Sequence, residues 1–251
     1  SGNEVGVLLT DFIAKRKLAM GIMPKKPVVV KTIVTTDLVN RVADNYGIET
    51  RDVLTGFKYI GDQIANLEKD GEVDRYLLGF EESYGYLSGS YVRDKDAVNG
   101  AYLIAQMFAY YKSENKSLLD VLNGLYEKYG YYLNTLYSFE FEGESGMKKM
   151  DAIMDTFRNN TPKEIAGEKV LEVRDYETSA QTNLVTGEKK AIDLPKSNVI
   201  KYMLEGNSSA VLRPSGTEPK LKLYLAISSE NEASAGELEN KIANELKKSL
   251  A

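Results

Sequence analysis

The sequence lacks both cysteine and histidine. Without cysteine, disulfide bonds and thiolate metal sites are excluded, and without histidine a metal site could be built only from oxygen ligands such as carboxylates. No apolar run approaches the ~20 residues that a membrane-spanning helix needs, and no signal peptide is recognisable. We therefore expect a cytoplasmic protein that does not bind a membrane.

The chain also lacks an excess of positive charge. Its 251 residues carry a formal net charge of −5, so no basic field is available to attract nucleic acid. Hydrophobic residues make up 43% and charged residues 27%, which is typical of a globular protein and not of a disordered one. The length is sufficient for two domains, each with its own core.

Strands and helices alternate in the first part of the chain. Residues 3–20 have the apolar spacing of a helix, and the β-branched run 28–34 indicates a strand buried on both faces. Further strands are predicted at 50–54 and 76–80, and further helices at 37–46, 57–69, 97–115 and 117–129. This alternation predicts an α/β layer with a largely parallel sheet.

The second part of the chain gathers its strands together. Strands are predicted around 139–141 and at 169–176, 198–204, 208–213 and 220–228, with helices at 146–157 and 232–249. The stretch 182–193 is interpreted as a loop or hairpin turn. Grouped strands flanked by helices predict an α+β domain.

The run from Arg213 to Lys220 has the composition of a phosphate-binding loop. An arginine fork can bind two phosphate oxygens, hydroxyls add donors, and a glycine lets backbone amides approach an anion. The candidate phosphate ligands are Arg213, Ser215, Gly216, Thr217 and Lys220. The alternative is an ordinary turn between two strands, because proline, serine and glycine are common in turns.

A second candidate site follows the short apolar stretch 76–78, which is predicted to be a buried strand. Glu81, Glu82 and Ser83 then emerge from the end of that strand, where α/β sheets place their ligands. In an extended segment Glu81 and Ser83 would share one face, and a carboxylate beside a hydroxyl suits vicinal sugar hydroxyls. The alternative is a solvated acidic turn.

Three stretches together resemble the phosphohexomutase superfamily, and within it the bacterial phosphoglucomutase/phosphomannomutase family. They are residues 30–37 with the following 55–58, the Glu81-Glu82-Ser83 loop, and the loop from Arg213 to Pro219. The resemblance covers nearly the whole chain but only the C-terminal half of the family. It implies that residues 1–23 end a preceding second domain, that 24–134 form the three-layer α/β third domain, and that 135–251 form the α+β fourth domain.

The resemblance also implies a reaction. The family interconverts glucose 1-phosphate and glucose 6-phosphate through a phosphoserine, a bound Mg²⁺ and a glucose 1,6-bisphosphate intermediate. The phosphoserine segment and the metal-binding aspartate segment of the family have no counterpart here. The nearest run, Asp94-Lys95-Asp96, lacks a third carboxylate. We therefore expect no metal ligand in this chain, a need for the missing first and second domains, and no activity from the chain alone.

By the same resemblance, the roles divide between the two loops. Glu81, Glu82 and Ser83 would bind sugar hydroxyls, and the loop that begins at Arg213 would bind the phosphate that is not reacting. Lys58 would lie near the substrate, although a lysine early in a helix is usually just exposed. Two alternatives stay open: a phosphomannomutase half, and a module that binds hexose phosphates or a partner without catalysis.

Overall fold

The computed structural model describes residues 1–216 and 218–250. It divides the chain into two compact units, Ser1–Gly130 and Tyr131–Ala251. Each is described by itself below.

The first unit is built on a four-stranded sheet. Its strands are β1 (Val28–Thr32), β2 (Glu49–Val53), β3 (Tyr76–Phe80) and β4 (Tyr86–Leu87), in the order β2-β1-β3-β4. Strand β1 runs parallel to β2 and β3, and the short β4 runs antiparallel to β3. Its helices are α1 (Gly2–Ala19), α2 (Leu38–Asn45), α3 (Phe57–Lys69), α4 (Ala97–Ser113) and α5 (Leu118–Tyr129).

Helices cover both faces of this sheet. Gly79 in β3 lies against Ile60 of α3, whereas the next residue, Phe80, lies against Gly6 of α1. Successive residues of a strand point to opposite faces, so α3 and α1 pack on opposite sides. Helix α1 also contacts α2, α4 and α5. The expected mixed α/β layer with a largely parallel sheet is confirmed.

Two boundaries differ from the prediction. Residues 1–23 were assigned to a preceding domain, but α1 packs within the first unit and has eleven buried residues. The second unit begins at Tyr131 and not at residue 135, because the strand that was expected near residue 139 already starts there. Its first residues pair with the other strands of the second unit. This packing could not be inferred from the helical pattern alone.

The second unit contains an antiparallel sheet. The principal strands are β5 (Tyr131–Glu140), β7 (Glu168–Asp175), β10 (Ile200–Leu204), β11 (Ser209–Pro214) and β12 (Lys220–Ser229), and the short ones are β6 (Glu164–Ile165), β8 (Ala180–Asn183) and β9 (Lys189–Ala191). The order is β5-β12-β11-β10-β7-β8-β9, with β6 paired to β7. The hairpin β8–β9 overlaps the stretch 182–193, for which a loop or hairpin turn is predicted.

Two helices cover the core of the second unit. They are α6 (Gly143–Asn159) and α7 (Glu232–Leu250), and their apolar residues join those of β10, β11 and β12 in one cluster. Leu212, Leu221 and Leu223 belong to this cluster. Side chains alternate along a strand, so Arg213 and Lys222 point to the face away from it.

Candidate functional site

The loop that follows β3 is a tight turn. It spans residues 81–85, and the Glu81 amide donates a hydrogen bond to the Gly85 carbonyl at 2.9 Å. The prediction that Glu81 and Ser83 share one face of an extended segment is wrong, because the chain reverses here to form β4. Glu81 is only 5% exposed, whereas Ser83 is exposed.

The Glu81 carboxylate turns inward toward the start of α3. Its Oε1 accepts a hydrogen bond from the Gly56 backbone N–H at 3.0 Å. Burial raises the pKa of the Glu81 carboxyl and the neighbouring Glu82 charge raises it further, while Lys95 acts in the opposite direction. A Cβ at Gly85 would lie 3.1 Å from Glu81 Oε2, so glycine at this position permits the close approach.

The Glu82 carboxylate is anchored elsewhere. Its Oε2 lies 3.3 Å from Thr32 Oγ1 and 3.5 Å from Thr35 Oγ1, within hydrogen-bond distance of both hydroxyls. Both threonines are buried at the end of β1, and their hydroxyls are 2.8 Å apart. The two adjacent glutamates are therefore attached to two different parts of the sheet edge.

The N-terminus of α1 supports this loop from behind. A Cβ at Gly2 would lie 2.2 Å from the Glu82 carbonyl oxygen, and the Tyr86 hydroxyl donates to the Gly2 carbonyl at 2.9 Å. The sequence analysis did not recognise this support. The signal was the pair Gly2 and Gly6 on an otherwise apolar helix, since glycines at helical spacing permit close packing.

Ser83 and Tyr84 form the exposed tip of the turn. The Tyr84 side chain is 68% exposed and its backbone is left-handed, with φ at 66°. The tip therefore offers the Ser83 hydroxyl and the phenol group of Tyr84 to solvent.

Two lysines lie near the elements that hold this loop. Lys58 lies exposed in the first turn of α3, and its Nζ is 4.8 Å from the centroid of the Tyr59 ring. Its proximity to a substrate stays a prediction. Lys95, which the sequence analysis considered only as part of a charged run, faces Glu81 electrostatically and has its Nζ 5.8 Å from the centroid of the Phe57 ring.

The run Asp94-Lys95-Asp96 does not form a metal site. Asp96 caps α4, because its Oδ1 accepts from the backbone N–H groups of Val98 and Asn99 at 2.8 and 3.0 Å. Its Oδ2 accepts from the Tyr91 hydroxyl at 2.7 Å. Within residues 1–216 and 218–250, no group of three or more acidic side chains is placed to hold a metal ion.

The turn between β11 and β12 carries the second candidate site. The Ser215 N–H donates to the Lys220 carbonyl at 2.7 Å, and the Lys220 N–H donates to the Glu218 carbonyl at the same distance. Gly216 is exposed, with open space around the position of a Cβ. Thr217, also predicted to bind phosphate, lies outside the described residues.

Two cations face each other beside this turn. Arg213 pairs with Lys222 across β11 and β12, and both side chains are half-buried. In the described part of the chain, no hydrogen bond or ion pair engages the guanidinium of Arg213. Like charges directly opposite one another in a sheet are destabilising. The sequence analysis missed Lys222, because its position opposite Arg213 depends on the strand register.

Lys220 is already paired with two carboxylates. Its Nζ lies 3.2 Å from Glu140 Oε1 and 3.4 Å from Glu218 Oε2. Hydrogen bonds to these two groups raise the pKa of Lys220. Its charge is therefore partly offset within the protein, which leaves Arg213 and Lys222 as the less compensated cations of the turn.

Comparison with known proteins identifies the fold and the family. Residues 1–129 match the phosphoglucomutase/phosphomannomutase family in its alpha/beta/alpha domain III. The chain belongs to this family. It is 38% identical over 231 residues to a phosphoglucomutase of Staphylococcus saprophyticus, an alignment that covers 92% of this chain and 41% of that protein. The chain thus spans about two fifths of the length of such relatives.

Solved structures show a similar fold. Parafusin, a phosphoglucomutase from Paramecium, superposes with a TM-score of 0.65 at 18% identity, covering 99% of this chain and 40% of the other. An Aspergillus fumigatus N-acetylphosphoglucosamine mutase solved in complex with glucose 1,6-bisphosphate superposes with a TM-score of 0.51 at 14% identity. That alignment covers 99% of this chain and 43% of the other. Both superpositions extend over the two units and confirm the predicted fold class.

No helix among the described residues is long and apolar enough to cross a membrane.

Proposed function

We propose that this chain is the substrate-recognition half of a phosphoglucomutase that interconverts glucose 1-phosphate and glucose 6-phosphate. Family membership and the similarity to phosphoglucomutases over 92% of the chain support this proposal. The proposed location of the whole protein is the cytoplasm.

The observation that carries the proposal is the uncompensated charge at the turn after β11. Arg213 is half-buried and lies opposite a second cation, Lys222, across the sheet, a juxtaposition that is destabilising. A phosphate group would relieve the repulsion between the two cations. The arginine fork would bind two of its oxygens, and Ser215 and Gly216 would add a hydroxyl and an open backbone. Thr217 and Lys220 remain proposed members of this site.

The sugar would bind at the turn after β3. Glu81 offers a fixed carboxylate that can accept hydrogen bonds from sugar hydroxyls, and Ser83 offers an exposed hydroxyl. Anchoring the sugar and the remote phosphate would position the reacting end of the substrate. Lys58 is retained as a weaker proposed contact.

The described residues do not fit a Mg²⁺ ion. We therefore propose that this chain binds and orients a hexose phosphate or a hexose 1,6-bisphosphate. The phosphoserine and the metal would come from the remaining part of a full-length enzyme. The solved complex of the Aspergillus relative makes glucose 1,6-bisphosphate the probe of choice.

The test is an NMR titration of the chain with glucose 1,6-bisphosphate. We expect amide shifts at Ser215 and Gly216 and in the turn 81–85, and a weaker response to mannose 1,6-bisphosphate if glucose is the substrate. Arg213→Gln should weaken binding by roughly tenfold or more, because hydrogen bonds to charged groups contribute roughly 1.5–3 kcal/mol.

The matched control is Lys189→Gln, which removes one positive charge from the exposed strand β9 of the same unit. It should leave the affinity unchanged. If Arg213→Gln binds the bisphosphate as tightly as the parent chain does, the phosphate site is assigned to the wrong residues. If the parent chain itself shows no shifts, the chain does not recognise hexose phosphates by itself.

A further inference from the structure

The two adjacent glutamates of the turn after β3 differ in where their carboxylates are held. Glu81 accepts from the backbone of Gly56 at the start of α3. Glu82 instead accepts at the end of β1, where its Oε2 lies 3.3 Å from the Thr32 hydroxyl and 3.5 Å from the Thr35 hydroxyl. The loop thus contacts two places, Gly56 and the pair Thr32 and Thr35, which are 20 or more residues apart in the sequence.

The partners of Glu82 are themselves firmly held. Thr32 and Thr35 are 0% and 1% exposed, and one hydroxyl donates to the other at 2.8 Å, which leaves the proton of the second hydroxyl for the Glu82 carboxylate. The Thr35 carbonyl accepts from the Nζ of Lys31, which is completely buried and lies 2.8 Å from Asp37 and 2.9 Å from Asp52. The half-buried Glu82 carboxylate therefore contacts threonines that belong to a buried polar network.

The backbone of Glu82 is fixed as well. Its carbonyl oxygen packs against the Cα of Gly2 at the start of α1, where no side chain would fit. Glu82 is half-buried, with its carboxylate held at the end of β1 and its carbonyl close to Gly2, and the exposed tip of the turn is formed by Ser83 and Tyr84.

We propose that Glu82 is a positioning residue and not a sugar ligand, and that Thr32 and Thr35 act with it. Their hydrogen bonds hold the turn so that the Glu81 carboxylate and the Ser83 hydroxyl keep one relative geometry. This inference rests on the proposed binding of a hexose phosphate at the turn, and it revises the predicted role of Glu82.

The test is a double-variant cycle with Thr35→Val and Glu82→Ala. In the ligand-free chain, each change should speed hydrogen exchange of the turn amides 82–85 by about tenfold, and Thr35→Ser should restore the parent rate. Each should weaken binding of glucose 1,6-bisphosphate several-fold and leave binding of inorganic phosphate unchanged. Because both act through one contact, the double variant should bind no more weakly than Glu82→Ala, within about twofold.

The matched control is Thr36→Val. Thr36 is equally buried and its hydroxyl accepts from the Leu38 N–H, but it makes no hydrogen bond to Glu82. In the Thr36→Val variant, the turn amides 82–85 should exchange at the parent rate.

Multiplicative losses of affinity in the double variant would show that Glu82 contacts the sugar directly, and would overturn the inference. Unchanged exchange of the turn amides in Thr35→Val would overturn it too, whether or not the chain binds sugar. By contrast, absence of bisphosphate binding by the parent chain refutes the proposed function, while the exchange rates still decide whether Glu82 holds the turn.

Discussion

At the scale of single residues, the charged Glu81 carboxylate lowers the free energy of unfolding. Burial and the charge of Glu82 raise its pKa, so the folded protein binds the proton more tightly than the unfolded chain does. At pH values above the pKa of Glu81 in the folded protein, its charged form therefore destabilises the fold. This penalty is lost as the pH falls through that folded pKa toward the pKa of the unfolded chain.

Glu81→Gln removes the charge and keeps an oxygen that can accept from the Gly56 N–H. We expect the variant to have a higher free energy of unfolding than the parent chain at pH 7, and the difference to shrink toward pH 4. Urea unfolding followed by NMR signals of the first unit measures this. Glu127→Gln, at an exposed position of α5, is the control. A variant that is less stable at pH 7 would contradict the sign of the pKa shift.

At the scale of elements, the docking of α1 depends on a glycine. A Cβ at Gly6 would lie 2.1 Å from the ring of Phe80, the last residue of β3, whereas a Cβ at Gly124 in α5 would meet open space. We expect Gly6→Ala to cost roughly 1–3 kcal/mol through overpacking. Gly124→Ala should instead stabilise by roughly 0.5–1 kcal/mol, because alanine is the better helix former.

Thermal and urea unfolding of the two variants provide the comparison. Because α1 also supports the turn after β3, Gly6→Ala should additionally shift the amide signals of Glu82 and Tyr84, and Gly124→Ala should not. Equal stability of the two variants would mean that α1 does not pack against β3 as described.

Most elements could be predicted from the sequence because their patterns are local. The helix Phe57–Lys69 was predicted with its bounds, and the β-branched run beginning at Val28 identified β1. The two-residue strands β4 and β6 were missed, since so short a strand has no periodicity to detect. They exist only through pairing with β3 and β7.

For the candidate site, the residues could be predicted from the sequence, but their contacts could not. The sequence indicated which residues emerge at the end of β3, but not that Glu81 would meet Gly56 and Glu82 would meet Thr32. Those contacts are set by the parallel register of β1 and β3 and by the position of α3. Similarly, Lys222 was missed because it meets Arg213 only through the pairing of β11 with β12.

At the scale of the whole molecule, we expect substrate recognition and phosphoryl transfer to lie in different parts of a full-length enzyme. The chain spans about two fifths of its phosphoglucomutase relatives, and its described residues offer no metal site. We therefore predict that the chain alone does not convert glucose 1-phosphate to glucose 6-phosphate, with or without Mg²⁺ and glucose 1,6-bisphosphate. A coupled assay with the Staphylococcus saprophyticus enzyme as positive control measures this.

Metal binding can be tested without measuring mutase turnover. A ligand that binds only the folded state raises the melting temperature, and the stabilisation grows with the logarithm of the ligand concentration divided by its Kd. Because no described carboxylates are grouped around a metal position, Mg²⁺ should move the melting temperature no more than sodium chloride at the same ionic strength. Glucose 1,6-bisphosphate should raise it in the absence of metal. A rise specific to Mg²⁺, or measurable mutase turnover by the chain alone, would place catalytic chemistry in this chain and would contradict its proposed role in recognition only.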